Sequence, residues 1–167
     1  EDAAELAPAH PHVVSLEARP ANLEGSGALP LHTLVRQALR MRPDRIVVGE
    51  VRGAEVVELL AALNTGHEGG CGTLHANTAA DVPARVEALA LAAGLDRAAA
   101  HSQLAAGVEV VLHLRRHRDG TRRIDEVAVP IRRPDGTVSM LTAARLQDGR
   151  VADGPGADRL ADVLGRA

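Results

Sequence analysis

The 167-residue chain carries a formal charge of −3, eight His and no Phe, Tyr or Trp, and all 19 of its basic residues are Arg. Lacking both a basic excess and aromatic stacking platforms, it does not read as a specific nucleic-acid binder. The single Cys71 cannot close an internal disulfide, and neither a signal peptide nor an apolar run of about 18 residues is present, so a cytoplasmic location is expected.

The length suits one main unit, with a core of Val, Leu, Ile, Ala and Met, which bury less area per residue than aromatic side chains. The first thirty residues read as loop, with one strand candidate at Val13 to Leu16. The opening acidic pair, with no element before it, suggests a natural chain that continues upstream. From Pro30 the spacing of Leu31, Leu34, Val35, Ala38 and Leu39 predicts a helix that stops before Pro43 and places Arg36 and Arg40 on one face. "RIVVGE" (45–50) is a short apolar run expected to be a strand covered on both sides in a parallel sheet. Val56, Leu59, Leu60 and Leu63 mark a second helix, with Gly66 suited to its left-handed end. "CGTLH" (71–75) reads as another strand, and Thr78 with Asp81 as a capping box opening a helix through Val86 and Leu89 towards Gly94. Asp96 is placed to cap one more short helix. From Val108 the pattern alternates in three runs separated by Asp-Gly at 119–120 and 135–136, which predicts consecutive antiparallel strands, and the tail from Ala157 reads as a final helix.

Ligands of open parallel sheets bind beyond the carboxyl ends of the strands, and both Glu50 and His75 fall there. Two readings fit Glu50. A carboxylate at the end of a buried strand can hold a magnesium ion or a water in phosphoryl transfer, or it can cap a loop or pair with Arg52. His67 and His75 flank "EGGCGTL", whose glycines let backbone approach a ligand; they are either donors near phosphate or loop histidines that stabilise a bend. Zinc bound by His67, His75, Cys71 and Glu68 is a weaker alternative, because neither the HExxH spacing nor paired CxxC is present. Cys71 itself reads as a small core residue. Arg36, Arg40 and Arg52 offer planar donors to phosphate, against the default of a solvated face or surface salt bridge in an Arg-rich chain. "RRHRDGTRR" (115–123) reads as a hairpin tip, with anionic-partner binding as the less favoured role.

Together these stretches resemble the ring-forming secretion and pilus-assembly ATPases of the type II/type IV secretion superfamily, especially the Tad or CpaF-like branch, associated with conjugal transfer. "EDAAEL" (1–6) is similar to the end of an aspartate box, and "ARPANLEGSG" (18–27) to the loop after it. "LVRQALRMRPDRIVVGEVRGAE" (34–55) is similar to a Walker B region, and "NTGHEGGCGTLHAN" (64–77) to a histidine box. The resemblance implies an α/β fold: a partial RecA-like P-loop NTPase core with a mainly parallel sheet over 1–107, then short helices and a small antiparallel strand-rich part over 108–167. It implies ATP and Mg2+ as ligands, Glu1 polarising the attacking water with Asp2 beside it, and Glu50 with Asp2 organising magnesium through water. It further implies His75 and His67 near the γ-phosphate, and Arg36, Arg40 and Arg52 as phosphate-sensing arginines. The P-loop is the departure: its Lys contacts phosphate, and this chain has no Lys. The chain is therefore expected to be the C-terminal part of the ATPase domain, inactive alone.

The implied partners are further copies in a hexameric ring and the inner-membrane pilus or secretion platform, which would hold the protein peripherally at the membrane. Two other expectations stand beside the motor: a degenerate scaffold or regulator of a complete ATPase, and a metal-dependent hydrolase built on His67, His75 and Glu50.

Overall fold

The structure is a computed structural model that describes residues 1–67, 69–147 and 149–165. The chain divides into two compact units: Glu1–His75 with Leu89–Leu95, and Ala76–Ala88 with Asp96–Ala167. Among the described residues no helix is long and apolar enough to cross a membrane.

The first unit begins with an irregular segment in which the expected strand at Val13 to Leu16 does not form; one isolated bridge, Arg19 to Leu29, is its regular pairing. Helix α1 (Leu31–Arg40) starts at Pro30 and buries Leu31, Leu34 and Val35. It ends where Arg42, held at φ 54°, reverses the chain ahead of Pro43. Strand β1 (Val47–Val51), helix α2 (Glu55–Leu63) and strand β2 (Cys71–Leu74) follow, and β1 and β2 pair in parallel. Helix α2 is the crossover that a parallel pair requires. Its Val56, Leu59, Leu60 and Ala62 join Val48, Val51 and Ile46 in a core built without aromatics. Gly72 makes this packing possible, since a Cβ there would fall 2.8 Å from Leu59 Cδ2.

In the second unit a 3₁₀ turn (Ala79–Asp81) precedes helix α3 (Val82–Ala92), whose last residues belong to the first unit. Thr78 does not cap through its side chain; its hydroxyl donates to Asp81 Oδ2 at 2.7 Å. Helix α4 (Arg97–Gly107) is capped as expected, with Asp96 accepting from the Ala99 N–H. Strands β3 (Val111–Arg116), β4 (Arg122–Arg132), β5 (Val138–Gln147) and β6 (Arg150–Asp153) form an antiparallel sheet in that order, followed by α5 (Ala157–Leu164). The β3–β4 and β4–β5 turns share one construction. Gly120 and Gly136 adopt positive φ, and Asp119 and Asp135 accept from the N–H and hydroxyl of Thr121 and Thr137. Those bonds hold both aspartates below the usual carboxylate range. Strand β6 was not expected, although the third Asp-Gly, at 148–149, is the signal that precedes it.

The expectation of a mainly parallel, RecA-like core sheet is overturned. The parallel sheet has two strands among the described residues and the antiparallel one, the larger, has four. Each parallel neighbour costs a helical crossover, and one such crossover is present, whereas each Asp-Gly turn adds an antiparallel neighbour in a few residues. Strand β1 is also covered on one side: Val48 and Val51 are buried but Val47 is exposed. Cys71 is likewise exposed, because along β2 little covers the side chains before Leu74.

His101 of α4 is 5 % exposed and links three elements. Its Nδ1 accepts the Val138 N–H at 3.0 Å, so the neutral ring carries its proton on Nε2, which donates to Glu87 Oε2 of α3 at 2.8 Å. That bond, aided by Arg97, holds the Glu87 carboxyl below its ordinary range. His101→Ala leaves the buried Val138 N–H without a partner and should cost about 1–3 kcal/mol in urea unfolding, whereas Arg97→Ala, at an exposed ion pair, should cost under about 1 kcal/mol. Because the folded pKa of Glu87 lies below the unfolded one, its contribution is full above about pH 4.3 and is lost as pH falls through the lowered value. A stability profile of the Glu87→Gln variant should lack that acid-side loss.

Candidate functional site

The register between β1 and β2 pairs Val48 with Gly72 and then Val51 with Leu74, so Gly49 and Glu50 occupy an irregular step. Bulged steps of this kind re-aim a side chain. Here they bring Glu50 to the carboxyl end of the pair, beside His75, the residue after β2. The Thr73 hydroxyl donates to the Gly49 carbonyl and fixes the step from the neighbouring strand. Sequence reasoning passed over Thr73; a hydroxyl in the middle of "CGTLH" is the signal it offered.

Glu50 is 19 % exposed and its two oxygens have different company. Oε2 receives the Arg52 guanidinium. Oε1 is buried and lies 2.7 Å from His75 Nε2, a contact short enough for a hydrogen bond but poorly aligned for one. The Arg52 hydrogen bond holds the Glu50 carboxyl below the usual range, against a smaller opposing effect of burial, and the Arg52 and His75 charges and the His75 ring N–H add to the lowering. Glu50 is thus an anion at neutral pH.

Glu1 reaches the same place. A Cβ on Gly49 would fall 2.8 Å from Glu1 Cγ and 3.1 Å from its Oε1, so the glycine is the space the Glu1 side chain fills. The Glu1 N–H donates to the Leu16 carbonyl at 2.9 Å, and Oε1 accepts from the Leu6 N–H at 3.0 Å. Asp2 is exposed, and its charge, with that of Glu5, acts on Arg52. Glu55 is a further residue that sequence reasoning missed. It is buried at the start of α2, and its Oε1 accepts the N–H groups of Arg52 and Gly53 at 2.5 and 2.6 Å, tying down the turn that carries Arg52. An acidic residue opening a helix is the signature that pointed to it.

The structure therefore gathers Glu1, Glu50, Arg52 and His75, with Asp2 nearby. It does not bring Arg36, Arg40 or His67 to Glu50 by any hydrogen bond or ion pair among the described residues. Arg36 is committed to Glu58 at 2.6 Å, Arg40 is exposed in the last turn of α1, and His67 Nδ1 lies 3.3 Å from the Ala62 carbonyl. Among the described residues no three His, Cys, Asp or Glu side chains group as metal ligands; Glu68, named above as a zinc ligand, lies outside them. A buried carboxylate oxygen without a well-aligned donor does fit magnesium, which takes one or two carboxylates and fills its other positions with waters and phosphate oxygens.

Residues 1–152 match the family model described as type II/IV secretion system protein. The chain belongs to the type II/IV secretion system protein family. Over 153 residues, 92 % of the chain, it is 64 % identical to a Mycobacterium tuberculosis protein named for conjugal transfer, and covers 43 % of that protein. It is 36 % identical over 127 residues to the conjugal transfer protein TrbB of Rhizobium radiobacter, covering 76 % of this chain and 36 % of the relative. Among solved structures, the VirB11 ATPase of the Brucella suis type IV secretion system, crystallised with sulphate, matches with a TM-score of 0.53 and 30 % identity, over 63 % of this chain and 33 % of that one. This family member thus spans less than half the length of these relatives.

Replacing Arg52 by Gln should let the Glu50 pKa rise towards its ordinary value in a carboxyl ¹³C NMR titration; no change would mean that His75 alone sets it. Gly49→Ala should expel the Glu1 side chain, at an overpacking cost of about 1–3 kcal/mol in thermal unfolding.

Proposed function

We propose that the intact protein is an ATP-driven motor of the Tad or CpaF-like branch, forming a hexameric ring and coupling ATP hydrolysis to pilus assembly, secretion or conjugal transfer at the inner membrane. The observation that carries the reading is Glu50 at the carboxyl end of β1, with one oxygen buried beside His75 and the Glu1 side chain lying over the preceding Gly49. The family match and the likeness to a secretion ATPase support it.

In this reading residues 1–107 are the C-terminal portion of the ATPase core and 108–167 a strand-rich subregion. The lysine-bearing phosphate loop comes from sequence outside these 167 residues. Magnesium, when bound, neutralises phosphate charge beside Glu50. Glu50 is kept ionised for that task by Arg52 and His75. Glu1, poised over Gly49, accepts a proton from the attacking water, with Asp2 adding to the local field. His75, and His67 through the ring nitrogen turned away from Ala62, donate to the terminal phosphate. Arg40, exposed at the end of α1, reaches phosphate across a subunit boundary more readily than Arg36, which would first have to leave Glu58. The ring docks on pilus or secretion platform proteins, which hold it peripherally at the membrane.

The test is magnesium-dependent ATP hydrolysis by the intact protein. Glu1→Gln should lower kcat by about 10²–10⁴ with nucleotide binding retained, as loss of a general base does. Glu50→Gln should raise the magnesium requirement. Unchanged turnover in Glu1→Gln would take the base away from Glu1, and absence of turnover in every oligomeric state would favour a scaffold that regulates a complete ATPase.

A further inference from the structure

The second unit ends its sheet on a strand whose polarity is inverted. Strand β3 pairs with β4 alone, so its other edge presents backbone N–H and C=O groups with no strand beside them among the described residues. Along it Leu112 and Leu114 are 54 % and 59 % exposed while the intervening His113 is half-buried. A half-covered strand ordinarily places its apolar residues inward and its polar ones outward. Edge strands are normally blunted rather than left with leucines facing solvent.

The end of the strand adds a second anomaly. Arg115 lies directly opposite Arg123, and Arg116 directly opposite Arg122. Like charges in directly opposed positions are destabilising. Arg123 is relieved by Asp119 at 2.8 Å and Arg115 weakly by Asp125 at 3.7 Å, but Arg116 and Arg122 have no ion pair among the described residues. The pair belongs to the "RRHRDGTRR" run that the nucleotide site does not use.

We propose that the open edge of β3 is a docking site for an extended segment of a partner protein, which adds to the sheet as a further antiparallel strand. Strand addition satisfies the edge backbone groups, and alternate side chains of the incoming strand set specificity. Read against β3, the segment carries two carboxylates facing Arg116 and Arg115 and apolar side chains facing Leu114 and Leu112. Carboxylates on the outer side of β3 offset the repulsion that Arg122 and Arg123 exert from the inner side. A lipid surface fits less well, because Arg116 shares its sheet face with the leucines while Arg115 lies on the opposite face, and a flat layer meets one face only. The proposal stands apart from the nucleotide site and does not depend on it.

The probe is a synthetic peptide with the core Glu-Glu-Val-Thr-Val, titrated into the intact protein, with binding read by anisotropy and β3 amide exchange read by NMR. The peptide is expected to slow exchange of β3 amides, and its Lys-Lys counterpart to bind at least about tenfold more weakly. The double substitution Arg115→Glu/Arg116→Glu should invert that preference. It replaces like-charge pairs by opposite-charge pairs across β3 and β4, so misfolding is not a rival explanation for lost binding. Leu112→Ser/Leu114→Ser should weaken the peptide while leaving ATP hydrolysis unchanged. Four results would overturn the proposal: no response to the peptide, equal binding of the lysine peptide, β3 amides already protected in the free intact protein by its own remainder or a second copy, and binding to phosphatidylglycerol vesicles without any peptide response.

Discussion

A carboxylate anchored on one side by Arg52 and closely approached on the other by His75 is the constraint around which the first unit is arranged. Glu50 sits at an irregular step of β1, where Arg52 takes one oxygen and His75 approaches the other without an aligned hydrogen bond. Burying an anion is unfavourable unless partners compensate, and here Arg52 and His75 more than offset the burial, holding the carboxyl below its usual range. The Glu1 side chain fills the space left by Gly49, the residue before Glu50.

Much of the surrounding structure serves that arrangement. Buried Glu55 holds the turn that carries Arg52, and Thr73 holds the carbonyl of Gly49. Gly72 lets α2 lie close on the short parallel pair, which gives the strand end a firm base. The second unit is stabilised by different means: a buried histidine with a defined tautomer, and repeated Asp-Gly turns with side-chain hydrogen bonds. Without aromatic residues, both cores depend on close packing of Val, Leu and Ala, such as Val48, Val129 and Leu104.

Local signals in the sequence proved readable where one physical rule acts alone. Pro30 and Pro43 bracket α1, Asp96 caps α4, and the Asp-Gly pairs at 119–120 and 135–136 mark real turns. The strand ends carrying Glu50 and His75 were legible because an apolar run that stops at a polar residue has few other meanings. Sheet character was not. "RIVVGE" looks like a doubly covered strand by composition, yet whether both faces are covered depends on neighbours that no local run encodes, and the structure covers one. Cys71 fails for the same reason; for Arg36 the default of a surface salt bridge holds, and only its partner, Glu58, was illegible because it lies on another helix. Thr73 and Glu55 escaped notice because their roles are hydrogen bonds to backbone groups that only the fold brings within reach.

The account rests on magnesium and nucleotide meeting Glu1 and Glu50, and the most direct measurement is a crystal structure of the intact protein with Mg2+ and a non-hydrolysable ATP analogue. The account predicts Glu50 Oε1 bonded to the metal or to one of its waters, with the Glu1 carboxylate facing the terminal phosphate. A metal held elsewhere, with Glu50 still closed onto Arg52 and His75 and Glu1 turned away, would contradict it.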